Sequence, residues 1–359
     1  QILHEGKESN EPIVVIAFAG IGKMLAMAHL DNKIYLYNVS DGYSKIFTIT
    51  SHSAPVMSID FSIDGQLMMT CDEGKVMRFT ECGTGAVVQS PDEIRDIRWK
   101  SWSTSVGWPM QGVAKMSAFD ISCVRRSGSN ALVAAGDVSG ILSVYRFPSL
   151  DRCPHSCYKA HSGRISQIRW AAGDARLVSI GSSDGAIMQW RCMYEDVRES
   201  ADEGTPSCDD SIVARDGGFD EVDTYVSEES TGTSEFLTKP WVESLLAPTI
   251  LSPDDVARPT FGLFPEHCFG ARLSDSRQCL GYTSGGELLC AAASMGIIMD
   301  TTANQQTMYS GHTKSIVALA LTPDGSIVAS GEVSNNPEIH IWNARSAATL
   351  TIQIGRAHV

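Results

Sequence analysis

The sequence predicts an all-β chain of β-propeller blades, antiparallel sheets set radially side by side, on three observations. Several segments repeat one grammar: an alternating apolar strand, a tight turn, a second strand of small and apolar residues, another turn, and a third strand closing on an aromatic. In three copies a histidine opens the unit: His52, His161 and His312 stand 27, 29 and 30 residues before Phe79, Trp190 and Trp342. The closing aromatics Tyr37 and Phe79 lie 42 residues apart, and Tyr145 and Trp190 lie 45 apart. That is the period of roughly 40–45 residues of a four-stranded blade.

The units follow in order. Val14 to Tyr37 turns at Asp31-Asn32, and His52 to Phe79 turns at Asp64-Gly65. Asp-Gly between apolar runs signals a hairpin, because Gly accepts positive φ. Phe119 to Tyr145 turns at Gly136-Asp137, and the 66 residues from Phe79 to Tyr145 hold an insertion around Trp99 to Gly112. His161 to Trp190 has turns at Gly173-Asp174 and Ser183-Asp184-Gly185. An atypical unit spans 270–300, where the apolar run Leu288 to Met299 is 12 residues long. A membrane helix needs about 20, so core strands are expected there and no membrane insertion. Gly311 to Trp342 turns at Pro323-Asp324-Gly325. Six units are countable, fewer than a closed ring is expected to need, so missing blades or covered edges are expected beyond them.

The 359 residues are 43% apolar and 19% charged, enough to bury a core. The net charge of −14 argues against non-specific binding to nucleic acid or an anionic membrane. The excess sits in Glu199 to Asp255, with 15 acidic residues against Arg215 and Lys239. That stretch is expected to be a flexible, self-repelling linker, within which Phe236-Leu237, Trp241-Val242 and Leu245-Leu246 have the spacing of a short docking helix. The expected divisions are blades at 1–197, an acidic linker at 198–257, and the start of a second propeller unit at 258–359. No signal peptide is expected at the start, and with Gln1 first the chain is expected to be a fragment or processed product. Ten scattered cysteines suggest reduced thiols serving as small hydrophobes.

Gly311-His312, Trp342, His161, Asp184 and Trp190 resemble the WD repeat. The resemblance implies a hydrogen-bonded tetrad of His161, Ser179, Asp184 and Trp190 that stiffens the blade. In a second copy it implies His312, Ser330 and Trp342, with Asn335-Asn336 where the turn Asp would stand. The copy at His52 keeps Thr70 and closes on Phe79, and both incomplete copies are expected to be less rigid. These residues are read as structural, because buried polar atoms need partners.

A narrower resemblance follows from Arg98-Trp99-Lys100-Ser101-Trp102-Ser103-Thr104-Ser105-Val106-Gly107-Trp108-Pro109 and from Ile187-Met188-Gln189-Trp190-Arg191. Both are similar to signatures of the echinoderm microtubule-associated-protein-like family. Val14 to Cys192 resembles the last blades of one of its propeller units, and Gly270 to Ala320 the opening of another. The resemblance implies a non-enzymatic scaffold binding tubulin or the microtubule lattice, with other cytoskeletal or axonemal proteins as further partners. It places the chain in the cytoplasm on microtubules, with a cilium as a finer location. The alternative is a generic WD adaptor that assembles a complex without touching tubulin.

Trp102 and Trp108 in the insertion, with Arg125, Arg126 and Arg164, are candidates for a partner surface. Basic residues gather between Arg95 and Arg169, which would suit an acidic partner. Packing competes as the role of the tryptophans, and scattered solvated charge as that of the basic residues. Cys153 and Cys157 lack the second distant pair that a zinc site wants. No nucleophile elbow, P-loop or His-Glu-x-x-His is present, so no enzyme, cofactor or metal is expected. Ala134-Ala135, Ala291-Ala292-Ala293 and Val328-Ala329 are expected to line a small, apolar central channel.

Overall fold

A computed structural model describes residues 9–20, 22–116, 121–150, 154–194, 248–249, 261–271 and 279–354. These form six antiparallel sheets in chain order, five with four strands and one with three. Sheet 1 holds β1 (Ile13–Phe18), β2 (Met24–His29), β3 (Ile34–Asn38) and β4 (Ser44–Ile49), and sheet 2 holds β5 (Val56–Phe61), β6 (Leu67–Asp72) and β7 (Met77–Glu81). Sheet 3 follows with β8 (Ile121–Arg126), β9 (Leu132–Asp137), β10 (Ile141–Arg146) and β11 (His155–Lys159). Sheet 4 is β12 (Ile165–Trp170), β13 (Arg176–Gly181), β14 (Ile187–Tyr194) and β15 (Phe261–Phe269). Sheet 5 has β16 (Leu280–Tyr282), β17 (Leu288–Ala292), β18 (Met295–Asp300) and β19 (Gln305–Tyr309). Sheet 6 closes the series with β20 (Ile316–Leu321), β21 (Ile327–Glu332), β22 (Glu338–Asn343) and β23 (Thr349–Ile354). The chain is all-β, of WD-repeat propeller blades, as its periodicity predicts.

Local chemistry sets the turns. In Ser62-Ile63-Asp64-Gly65 the Ser62 hydroxyl donates to Asp64 and accepts from the Leu67 amide, while Gly65 takes φ 72°. Thr322-Pro323-Asp324-Gly325 repeats the device: Thr322 donates to Asp324 and accepts from the Ile327 amide, and Gly325 has φ 68°. A side chain at Gly325 would also strike the backbone of Thr283 and Ser284, so this turn requires glycine twice over.

Apolar residues on alternate strand positions fill the gaps between sheets. Sheets 1 and 2 share a core around Leu36 and Phe61, and sheets 2 and 3 one around Met69 and Tyr145. A third core runs through sheets 3, 4 and 5, joining Leu142, Trp190 and Ile297, and a fourth joins Ile298 of sheet 5 to Trp342 of sheet 6. First strands of neighbouring sheets approach one another, as β1 does β5 and β8 does β12. They are the inner ends of the fan.

Two expectations meet the structure here. The division expected at 258 falls inside a blade, and residues 261–269 do not stand apart from it: β15 pairs with β14 at eight positions, from Ile187–Phe269 to Tyr194–Phe261. An unpaired β14 edge would leave its amides and carbonyls without partners, and β15 supplies them. The acidic stretch therefore interrupts one blade between its third and fourth strands. The small apolar pairs do not line a channel either. Ala134, Ala135, Ala291, Ala292 and Val328 lie on second strands, buried between sheets. The expected docking helix and the acidic residues lie outside the described residues.

Candidate interaction surface and buried histidine networks

Each of the three histidines that open a unit sits in a buried polar network. His161 donates from Nδ1 to Asp184 Oδ2 at 2.9 Å, and its Nε2 lies 2.9 Å from Ser179 Oγ. Trp190 Nε1 donates to the same Oγ at 3.0 Å. The Asp184 carboxylate can only accept, so the neutral ring carries its proton on Nδ1, and its bare Nε2 accepts from the Ser179 hydroxyl, whose oxygen accepts from Trp190. All four residues are at most 3% exposed. Burial works against the Asp184 charge, but His161, with the Ala186 and Ser162 amides, holds its carboxyl below the usual range.

Sheet 6 repeats the network. Trp342 Nε1 donates to Ser330 Oγ at 3.0 Å, and Ser330 meets His312 Nε2 at 2.6 Å. Its carboxylate is Glu332, 3.2 Å from His312 Nδ1, and not a turn residue. Sheet 2 uses Asp72, 2.9 Å from His52 Nδ1, with Thr70 on Nε2 at 2.8 Å. The acid that Asn335-Asn336 replace at the turn of sheet 6 is thus supplied two residues after Ser330, and sheet 2 likewise carries its acid two residues after Thr70, at the end of the second strand. A Ser/Thr-x-Asp/Glu pattern was the signal available in the sequence.

The insertion is packed rather than displayed. Trp102 is 6% exposed; its Nε1 donates to the Thr104 carbonyl, and its ring lies against Phe147. A partner cannot reach it, which corrects its place on the candidate surface. Trp108 is half-buried. Arg126 donates to the Trp99 carbonyl at 2.6 Å and lies 5.1 Å from the centre of the Phe147 ring, so it too serves the packing. Asp60, on the inner strand β5, accepts from Ser101 Oγ, Ser103 N and Ser103 Oγ and pins the insertion to the hub. Arg125 and Arg164 differ: neither guanidinium has a hydrogen bond or ion pair among the described residues. Burial first, then the Arg169 charge, pushes the Arg125 pKa below its ordinary value.

Seven described cysteines are free thiols, and burial pushes Cys82 and Cys268 up to about 12. Cys157, half-buried on β11, is disulfide-bonded, which corrects the uniform reduced-thiol reading. Cys153 lies outside the described residues.

Residues 1–192 match the family model of the echinoderm microtubule-associated protein second beta-propeller, and residues 303–343 match the WD domain, G-beta repeat. Echinoderm microtubule-associated protein-like 4 of Xenopus laevis is 29% identical over 191 residues, covering 51% of this chain and 21% of that protein. The 77 kDa echinoderm microtubule-associated protein of Lytechinus variegatus is 29% identical over 192 residues, 52% of this chain and 28% of that one. Human echinoderm microtubule-associated protein-like 1 is 28% identical over 190 residues, with shares of 51% and 23%. The match thus spans about a quarter of the length of these relatives. Among solved structures, the beta-propeller domain of Myceliophteria thermophila Cps50 (Swd1) aligns over 94% of this chain and 97% of that one, with a TM-score of 0.42 and 12% identity.

Proposed function

Because this chain belongs to the echinoderm microtubule-associated protein family, we propose that it is a non-enzymatic, microtubule-associated scaffold that meets tubulin or the microtubule lattice through the faces of its blades. Relatives carrying the microtubule-associated name support this reading. The single observation that carries the non-enzymatic part is where the polar residues go. Ser179, His161 and Asp184 have the hydrogen-bond order of a hydrolase triad, with Ser at Nε2 and carboxylate at Nδ1. Yet they are sealed between sheets, and Ser179 is 0% exposed with its oxygen already accepting from Trp190. The same atoms that could do chemistry instead satisfy one another and stiffen the blade.

A rigid fan with wide loop-bearing faces binds by many modest polar contacts, weakened by salt. The location proposed is the microtubule cytoskeleton; the fold adds nothing that selects an axoneme. Co-sedimentation of the full chain with microtubules tests the reading. Pelleting at low salt that falls as salt rises is expected. Folded protein that stays in the supernatant at low salt would reject tubulin contact and leave the adaptor reading.

A further inference from the structure

The inner strand β12 is polar on the side that the apolar cores do not use. Arg164, Ser166, Gln167 and Arg169 are all exposed along it. Its neighbour β8 runs alongside it in the same direction: Ser122 Oγ donates to the Ile165 carbonyl at 2.6 Å at one end, and Trp170 Nε1 donates to the Arg125 carbonyl at 3.0 Å at the other. That alignment places Arg164 at the start of the seam and Arg125 with Arg169 at its far end. Cys123, midway on β8, is within electrostatic reach of both Arg125 and Arg164.

Charge along this seam is unbalanced. The carboxylate within reach of Arg125 is Asp60, and the Asp60 oxygens are already taken by Ser101 and Ser103. Asp60 also faces Arg126. Arg169 makes one hydrogen bond, to the carbonyl of Ile168. Among the described residues the guanidinium forks of Arg125 and Arg164 have no partner, and a fork of this shape matches a carboxylate through two parallel hydrogen bonds. The Gln167 side-chain amide between the two ends is likewise without a described partner.

We propose that the β8–β12 seam at the hub is a binding site for an extended acidic peptide, held at one end by Arg164 and at the other by Arg125 and Arg169. At about 3.3 Å per residue, positions 164 and 169 are roughly 16 Å apart, the reach of about six extended residues. Carboxylates suit the site better than a nucleic acid does, because a long polyanion would also meet the field of a chain carrying −14 overall. The site does not depend on the microtubule reading, and its test contains no tubulin.

The test uses a fluorescein-labelled hexaglutamate peptide, followed by anisotropy on the full chain, with hexaglutamine as the neutral control. Binding of hexaglutamate that weakens with salt, with none of hexaglutamine, is expected. The variant R164Q/R169Q changes two exposed residues and leaves the cores untouched, and it should raise the Kd at least tenfold. The variant K23Q/R345Q removes the same charge from exposed positions elsewhere and should leave the Kd within twofold. Equal weakening by both variants would reduce the effect to bulk charge and overturn the site. Absence of hexaglutamate binding to folded protein would overturn it as well. So would inorganic polyphosphate or oligouridylate binding through Arg164 and Arg169 where hexaglutamate fails, because the ligand class would then be phosphate.

Discussion

Arg176 clasps Glu266 across ninety residues of sequence: Nε donates to Oε2 at 2.6 Å and Nη2 to Oε1 at 3.1 Å. Gln189 adds a third hydrogen bond to Oε2 at 2.8 Å. One carboxylate on β15 therefore ties together β13, β14 and the strand that returns after the acidic stretch.

This clasp sets a pH dependence. Arg176 first, then Gln189, hold the Glu266 carboxyl down at about 2, against 4.5 for an ordinary glutamate. A depressed native pKa contributes stability above the unfolded value, and that contribution is lost as pH falls from about 4.5 through about 2. Glu266→Gln should lower the melting temperature at pH 7, and the difference from wild type should shrink below pH 4.5 and close near pH 2. Thermal melts followed by circular dichroism across that range check it; a difference independent of pH would show that the clasp is screened out.

The His161 network should be expensive to break. His161→Ala leaves the buried Ser179 hydroxyl proton without its acceptor and strips Asp184 of its imidazole partner, and Trp190→Ala empties a fully packed site. Each should cost about 2–5 kcal/mol in denaturant unfolding. Trp190→Phe keeps an aromatic ring but loses the N–H and part of the indole volume, so it should cost less than Trp190→Ala, about 1–3 kcal/mol. A loss under ~0.5 kcal/mol for His161→Ala would mean that the network does not hold the blade.

Glu332 takes the acidic role in sheet 6, where the turn offers Asn335 and Asn336. It also accepts from the Thr313 and Lys314 amides, so removing it orphans backbone groups as well as His312. Glu332→Ala should destabilise by about 1–3 kcal/mol, while Asn336→Ala should stay within ~0.5 kcal/mol. The reverse ranking in urea titrations would return the role to the turn.

What the sequence made legible was local. Asp64-Gly65 and Pro323-Asp324-Gly325 announce their turns because the glycine and the capping side chain lie within four residues of each other. Strand alternation and the His-to-aromatic interval are also short-range, so the blades could be counted and Ser179, Asp184 and Trp190 placed. Two of the misses are non-local. Nothing near Phe261–Phe269 tells that it pairs with β14 rather than opening a new unit. Trp102 reads equally well as an anchor for a partner or for the core, because its side depends on Phe147 and Thr104 reaching it. Asp72 and Glu332 are local but stand outside the turn where the repeat carries its Asp: an earlier or longer side chain reaches the same imidazole nitrogen.

The buried triads give the sharpest test of scaffold against reactor. A serine nucleophile must be reached by its substrate, and its oxygen must be free to attack. Ser179 and Ser330 meet neither condition: both are 0% exposed, and each accepts an indole N–H at 3.0 Å. Their histidines are oriented well enough for chemistry, so geometry alone would not forbid it; access does. A fluorophosphonate reagent, which captures activated serines, should therefore leave the folded chain unlabelled, as judged by intact-mass spectrometry. Labelling lost in Ser179→Ala or Ser330→Ala, with the fold intact by circular dichroism, would show that the blade opens to solvent and would make a reactor of what is read here as a strut.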